Sequence, residues 1–73
     1  MEFRYRRHGF WSANRWAHGV SYDLKIIKRD EDDFEVELWG NGVEMDSEHF
    51  GSYSDAVAGS ERLFTDFLSD EEE

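Results

Sequence analysis

Val20-Ser21-Tyr22-Asp23-Leu24-Lys25-Ile26-Ile27, followed by Phe34-Glu35-Val36-Glu37-Leu38, is the stretch that decides the fold. Val20, Tyr22, Leu24 and Ile26 alternate with Ser21, Asp23 and Lys25; Phe34, Val36 and Leu38 alternate with Glu35 and Glu37. An extended chain turns successive side chains to opposite faces, so each segment reads as a strand with one apolar side. The interval Lys28-Arg29-Asp30-Glu31-Asp32-Asp33 holds no apolar residue. It predicts a hairpin connection somewhat longer than the tightest turns, with Asp side chains satisfying turn amides. Gly40-Asn41-Gly42 predicts a second hairpin, because Asn and Gly both tolerate positive φ. A less regular third strand is expected over residues 43–50, with Val43, Met45 and Phe50 as its apolar members.

A helix is expected next. Ser52 or Ser54 can cap it, and Ser52-Tyr53-Ser54-Asp55 has the shape of a capping box with Asp in place of Glu. Ala56, Ser60, Leu63, Phe64, Phe67 and Leu68 then recur at spacings of three and four, giving one apolar stripe. Gly59 costs the helix about 1 kcal/mol relative to Ala, so close packing or simple tolerance must account for it. Toward the N-terminus, Phe3 and Tyr5 alternate with Arg4 and Arg6 and suggest a short strand pairing with the sheet, the alternative being an arm whose rings pack on it. Gly9 and Ser12-Ala13-Asn14 look like turns, anchored by Trp11 and Trp16. The expected fold is α+β: a small antiparallel sheet of three to four strands with one C-terminal helix packed on one face.

The 73 residues make one domain, placed at residues 1–68, with residues 69–73 as an acidic, frayed tail. A chain this short buries only about 60% of the surface exposed by its unfolded form. It contains no cysteine, so disulfides cannot help and a reducing cytoplasm is the expected compartment. Three Trp, three Tyr and six Phe supply the bulk for a core instead. No long apolar run suggests secretion or membrane insertion. The protein is therefore expected to be soluble and cytoplasmic, in a host cell's cytoplasm if phage-encoded.

The 18 acids and 8 bases are sorted along the chain. Residues 1–29 hold seven basic and two acidic residues, a net +5. Residues 30–73 hold sixteen acids and one base, Arg62, a net −15. Such a split selects partners by sign.

Catalytic and cofactor chemistry are not expected. His8, His18 and His49 show no helical metal-ligand spacing and have no cysteine to join them. The Asp30–Asp33 run lacks the alternating ligands, central glycine and distal glutamate of a calcium loop. Gly40-Asn41-Gly42 precedes no helix and carries no Lys-Ser/Thr, so it is not a phosphate cradle.

Two surfaces remain. Glu35, Glu37, Glu44, Asp46 and Glu48 are expected together on the sheet face away from the helix, with Trp39 as an aromatic anchor. Like charges aligned across a sheet are locally unfavourable, which points to a cationic partner. Duplex DNA carries about one negative charge per 1.7 Å of axis, a pattern that spaced carboxylates can imitate. A generic solvated face, or the salt-adapted acidity of a halophile, remains the alternative. The second surface is basic and aromatic: Arg4, Arg6, Arg7, Trp11, Arg15 and Trp16 would suit a single-stranded nucleic acid by stacking and phosphate pairing. Its alternative is a set of core rings whose arginines pair with acids from the rest of the chain.

The layout runs through an acidic hairpin and Phe50-Gly51-Ser52-Tyr53-Ser54-Asp55-Ala56 into an amphipathic helix. Over roughly residues 20–68 it resembles small acidic proteins of phages and mobile elements, a group that includes anti-CRISPR inhibitors and nucleic-acid mimics. The resemblance implies a stoichiometric inhibitor that blocks the substrate path of a nucleic-acid-handling complex. It carries over no individual residue, and the arginine-rich N-terminus departs from a wholly acidic mimic. The leading expectation is a non-enzymatic binder of a basic protein surface, with direct nucleic-acid binding and membrane contact not expected. The alternatives are a nucleic-acid-binding module and an assembly protein whose charged halves join chains, including as a homodimer.

Overall fold

The computed structural model describes residues 2–71. Five strands precede one helix: β1 (Arg4–Arg7), β2 (Phe10–Ala17), β3 (Val20–Asp30), β4 (Asp33–Gly40), β5 (Val43–Phe50) and α1 (Tyr53–Glu71). The strands form a single antiparallel sheet in chain order, so every connection is a hairpin. The fold is α+β with one C-terminal helix, and the sheet has five strands rather than three to four. Residues 69–71 of the expected tail continue α1, and Glu72 and Glu73 lie outside the described residues.

The additional order comes from β2. Ser12, Ala13 and Asn14, expected as a turn, lie in the middle of this strand. Their local turn preference is overridden by pairing: Ala13 stands opposite Leu24 and is buried beneath the helix side of the sheet. Asn14 Nδ2 donates across to Ser21 Oγ, the Tyr22 carbonyl and Asp23 Oδ1. The reversal itself falls at His18-Gly19, with φ of 53° and 75°. Asn41-Gly42 repeats this conformation at 53° and 79°. Two consecutive left-handed residues make the tight turn whose twist matches a hairpin, and glycine accepts the second position without strain. The charged connection is also shorter than expected: β3 runs to Asp30 and β4 starts at Asp33, leaving only Glu31 and Asp32 between them.

The helix lies across β3, β4 and β5. Tyr22, Leu24, Ile26, Phe34, Val36, Leu38, Ala56 and Phe64 are buried between the layers, with Val20, Leu63 and Phe67 packed around them. This is the core that the alternation in the sequence predicts. Each such aliphatic side chain, once enclosed, contributes about 1.5–3 kcal/mol. Tyr22 meets Phe64 and Phe67 edge-on at 5.4 and 5.7 Å between ring centroids. Trp11 meets Tyr53 at 4.8 Å at the other end of the helix. Ser52 Oγ accepts from the Asp55 N–H, so Ser52 is the residue that caps α1. Buried Ser60 donates its hydroxyl to the Val57 carbonyl, and among the described residues no buried side-chain polar atom lacks a hydrogen-bond partner.

Candidate functional site

Residues directly opposite in an antiparallel pair point to the same side of the sheet. The register therefore lays out the face away from α1 in rows. One row is Arg4, Ser12, Lys25, Glu37 and Ser47; the next is Arg7, Phe10, Ile27, Glu35 and His49. A third is Asn14, Asp23, Trp39 and Glu44. Basic residues begin two of these rows at the β1 edge, and acids gather toward β4 and β5.

The five acids expected on this face do not share it. Glu35, Glu37 and Glu44 do, but Asp46 stands opposite Leu38 and Glu48 opposite Val36, on the helix side. The cause is a register shift between Leu38 and Trp39. One extra residue in β5 at this point reverses the parity of everything after it. Without it, a regular hairpin from the Asn41-Gly42 turn would set Asp46 against Glu37 and Glu48 against Glu35. Each directly opposed like-charge pair is destabilising by a few tenths of a kcal/mol to about 1 kcal/mol. The shift substitutes Ser47 and His49 at those places, and it turns Phe50 inward opposite Phe34. A sequence signal for this exists: apolar Val43 and Met45 are odd-numbered, whereas apolar Phe50 is even.

The acids that remain on β4 are engaged locally. Glu35 receives Arg29 at 2.8–2.9 Å through Nη2 and Nε, and His49 Nε2 lies 3.4 Å away. His49 Nδ1 is 2.7 Å from Asp33 Oδ1. That hydrogen bond, with the nearby charges of Asp33 and Glu35, holds the His49 imidazolium pKa above its ordinary value. Trp39 donates its indole N–H to Glu37 Oε1 at 3.1 Å, and Lys25 Nζ sits 4.1 Å from its ring centroid. Trp39 is thus half-buried at the centre of a Lys25–Trp39–Glu37 cluster rather than projecting alone.

The continuous acidic feature is the β5 edge. Residues 43–49 are all exposed, and Glu44, Asp46 and Glu48 alternate along the strand. Because of the shift, their carboxylates lie on both sides of the edge, forming a ridge. At about 3.3 Å per residue the three are spaced about 6.6 Å apart, half the linear charge density of one DNA strand.

The opposite edge is basic. Arg4, Arg6 and Arg7 lie on exposed β1, and Arg15 is exposed on β2. The alternative that these arginines pair internally with acids does not match the contacts. None of the four forms an ion pair with a carboxylate among the described residues, and Arg15 senses Glu61 only through space. Arg6 Nε donates to Ser12 Oγ at 2.7 Å, and Arg7 lies over the Phe10 ring. The two tryptophans expected beside them separate. Trp16, on the open side, is 71% exposed; Trp11 turns to the helix side and packs on Tyr53 and Phe34. Trp11 is therefore a packing residue and not part of a stacking platform.

Among the described residues no three His, Asp or Glu side chains converge to hold a metal, and no helix is long and apolar enough to cross a membrane. Comparison of the chain with protein-family models, curated proteins and solved structures returns no match.

Proposed function

We propose that this protein is a non-catalytic binder that sets its acidic β5 edge against a cationic protein surface. The observation that carries this reading is the exposure of β5 along residues 43–49, with Glu44, Asp46 and Glu48 directed to both sides of the strand. A protruding ridge of carboxylates can enter a groove that a flat charged face cannot. Grooves lined with Lys and Arg are the ordinary receptors of nucleic-acid backbones, and a protein ridge seated there excludes the nucleic acid by occupancy. The chain's net charge of −10 adds long-range attraction to such a surface. Trp39 and Glu37, next to Glu44 on the open face, extend the contact with an aromatic side chain suited to become its buried centre. In this role the protein acts stoichiometrically in the cytoplasm, like the phage-encoded anti-CRISPR inhibitors its layout resembles.

The test is capture of the partner from native cells after nuclease treatment, with wild-type protein and with Glu44→Lys/Asp46→Lys/Glu48→Lys. The reading predicts a nuclease-resistant protein partner that is lost by the triple variant and released by added duplex DNA. Recovery of partners only when nucleic acid is left intact contradicts it.

A further inference from the structure

We infer that the corner between β1 and β2 is a second binding site, which takes an extended acidic peptide by adding it as a strand along β2. This goes beyond the proposed role of β5 and stands independently of it.

The corner arises because β1 is too short to cover its neighbour. Its register with β2 ends at Arg4–Ser12, whereas β2 continues to Ala17. Among the described residues, the outer edge of β2 from Asn14 to Ala17 has no strand beside it. On its other side this segment is fully paired with β3, from Asn14–Asp23 to Ala17–Val20. It is thus a held strand whose outward side has no ladder partner among the described residues. Exposed strand edges of this kind recruit extended peptides through main-chain hydrogen bonds.

A basin of about 550 Å³ opens at this place, lined by Arg4, Arg6 and Arg15 with Ser12, Ala13, Asn14 and one carboxylate, Glu2. Ser12 already orients the Arg6 guanidinium through Nε, leaving its outer N–H groups for a ligand. The sides on which the arginines stand identify the occupant. Arg4 shares the open side with Ser12, and Arg6 bonds to that same serine; Arg15 shares the helix side with Tyr22. Guanidinium groups therefore bracket the β2 edge from both faces. A β-strand alternates its side chains between faces, so a peptide carrying carboxylates on both sides meets all three. A single-stranded nucleic acid would instead need its bases stacked on one platform, and Trp11 and Trp16 lie on opposite sides of the sheet.

The three arginines are exposed and have no carboxylate partner among the described residues, in a chain where acids outnumber bases 18 to 8. Pairing within the chain would have been easy to supply. Glu2 lines the same basin and the charge of Arg15 reaches Glu61, yet neither carboxylate forms an ion pair with these arginines among the described residues, which leaves their guanidinium groups for a carboxylate from elsewhere.

The probe is a fluorescein-labelled hexapeptide, Glu-Glu-Val-Glu-Glu-Val, titrated by fluorescence anisotropy against the full chain at low salt. Saturable binding is expected, with slowed amide exchange at Asn14 to Ala17. Arg4→Gln/Arg6→Gln should weaken it by about tenfold or more, the scale set by losing one charge-assisted hydrogen bond. Two analogues N-methylated at alternate residues, one for each strand phase, keep every charge but break the ladder on one side. At least one should lose binding. Equal affinity for the peptide and both analogues overturns strand addition, as does unchanged binding by the arginine variant. Tighter binding of a labelled hexathymidylate than of the peptide overturns the choice of ligand.

Discussion

The ring of Phe50 occupies the space that a side chain on Gly59 would need: a β-carbon there would lie 2.1 Å from Phe50 Cζ and 2.3 Å from Cε1. Ala56 and Ser60 are buried along the same side of α1, so small residues let the helix settle closely on the end of β5. Gly59→Ala should therefore lower the thermal midpoint despite alanine's better helix propensity. The gain of about 1 kcal/mol in propensity is opposed by overpacking that costs about 1–3 kcal/mol in a closed core. The double variant Gly59→Ala/Phe50→Leu, measured by thermal denaturation, should recover part of the loss.

Phe64 tests the contact between layers from the other end of the helix. It is buried and meets Tyr22 edge-on at 5.4 Å. Phe64→Ala should cost about 3–5 kcal/mol in denaturant unfolding, a large share of the stability of any small domain. An unchanged transition would show that α1 does not cover the sheet.

His49 gives the β5 edge a pH dependence. Its pKa is raised in the fold, chiefly by the hydrogen bond to Asp33. A raised folded value means that the protonated ring stabilises the fold fully below the ordinary histidine range. That contribution disappears as the pH climbs through the folded value. As the pH rises from the ordinary histidine value through the higher folded one, stability should fall in the wild type more than in His49→Gln, compared by urea unfolding at each pH.

Nucleic acid itself should be a poor ligand. With a net charge of −10, binding to duplex DNA or to single strands at physiological salt should not exceed weak non-specific association. Sub-micromolar binding that falls steeply with salt and is lost in Arg4→Ala/Arg6→Ala/Arg7→Ala would place the function at the β1 edge instead.

Strands β3 and β4 and the helix were legible because their apolar residues keep strict periods of two and of three to four, and burial enforces those periods. β2 was not. Ser12-Ala13-Asn14 has turn chemistry, and what makes it a strand is tertiary: Ala13 against Leu24, and the Asn14 amide spanning to Ser21, Tyr22 and Asp23. His18-Gly19 is a weaker sequence signal because Asn-Gly, not His-Gly, is the preferred pair for two consecutive positive φ values in a hairpin turn. At the acidic surface, composition revealed the carboxylates but their sides depended on one inserted residue in β5. The change of parity between Met45 and Phe50 was visible in the sequence, and it is this that divides Asp46 and Glu48 from Glu35 and Glu37.

Trp39 should govern the lifetime of a complex rather than its formation. Half-buried between Lys25 and Glu37, it offers a ring already held in place. Trp39→Ala should accelerate dissociation from the captured partner, measured by biolayer interferometry, with little change in the association rate.

The association rate of that partner, measured against ionic strength for wild type and for Glu44→Lys/Asp46→Lys/Glu48→Lys, tests the role of the acidic edge most directly. Wild-type association should be fast at low salt and slow steeply as salt is added. The triple variant should associate at least about tenfold more slowly at low salt and show a flattened salt dependence, with its thermal midpoint retained. Identical rates and identical salt slopes for the two proteins would mean that the β5 ridge is only solvated, and would contradict the account.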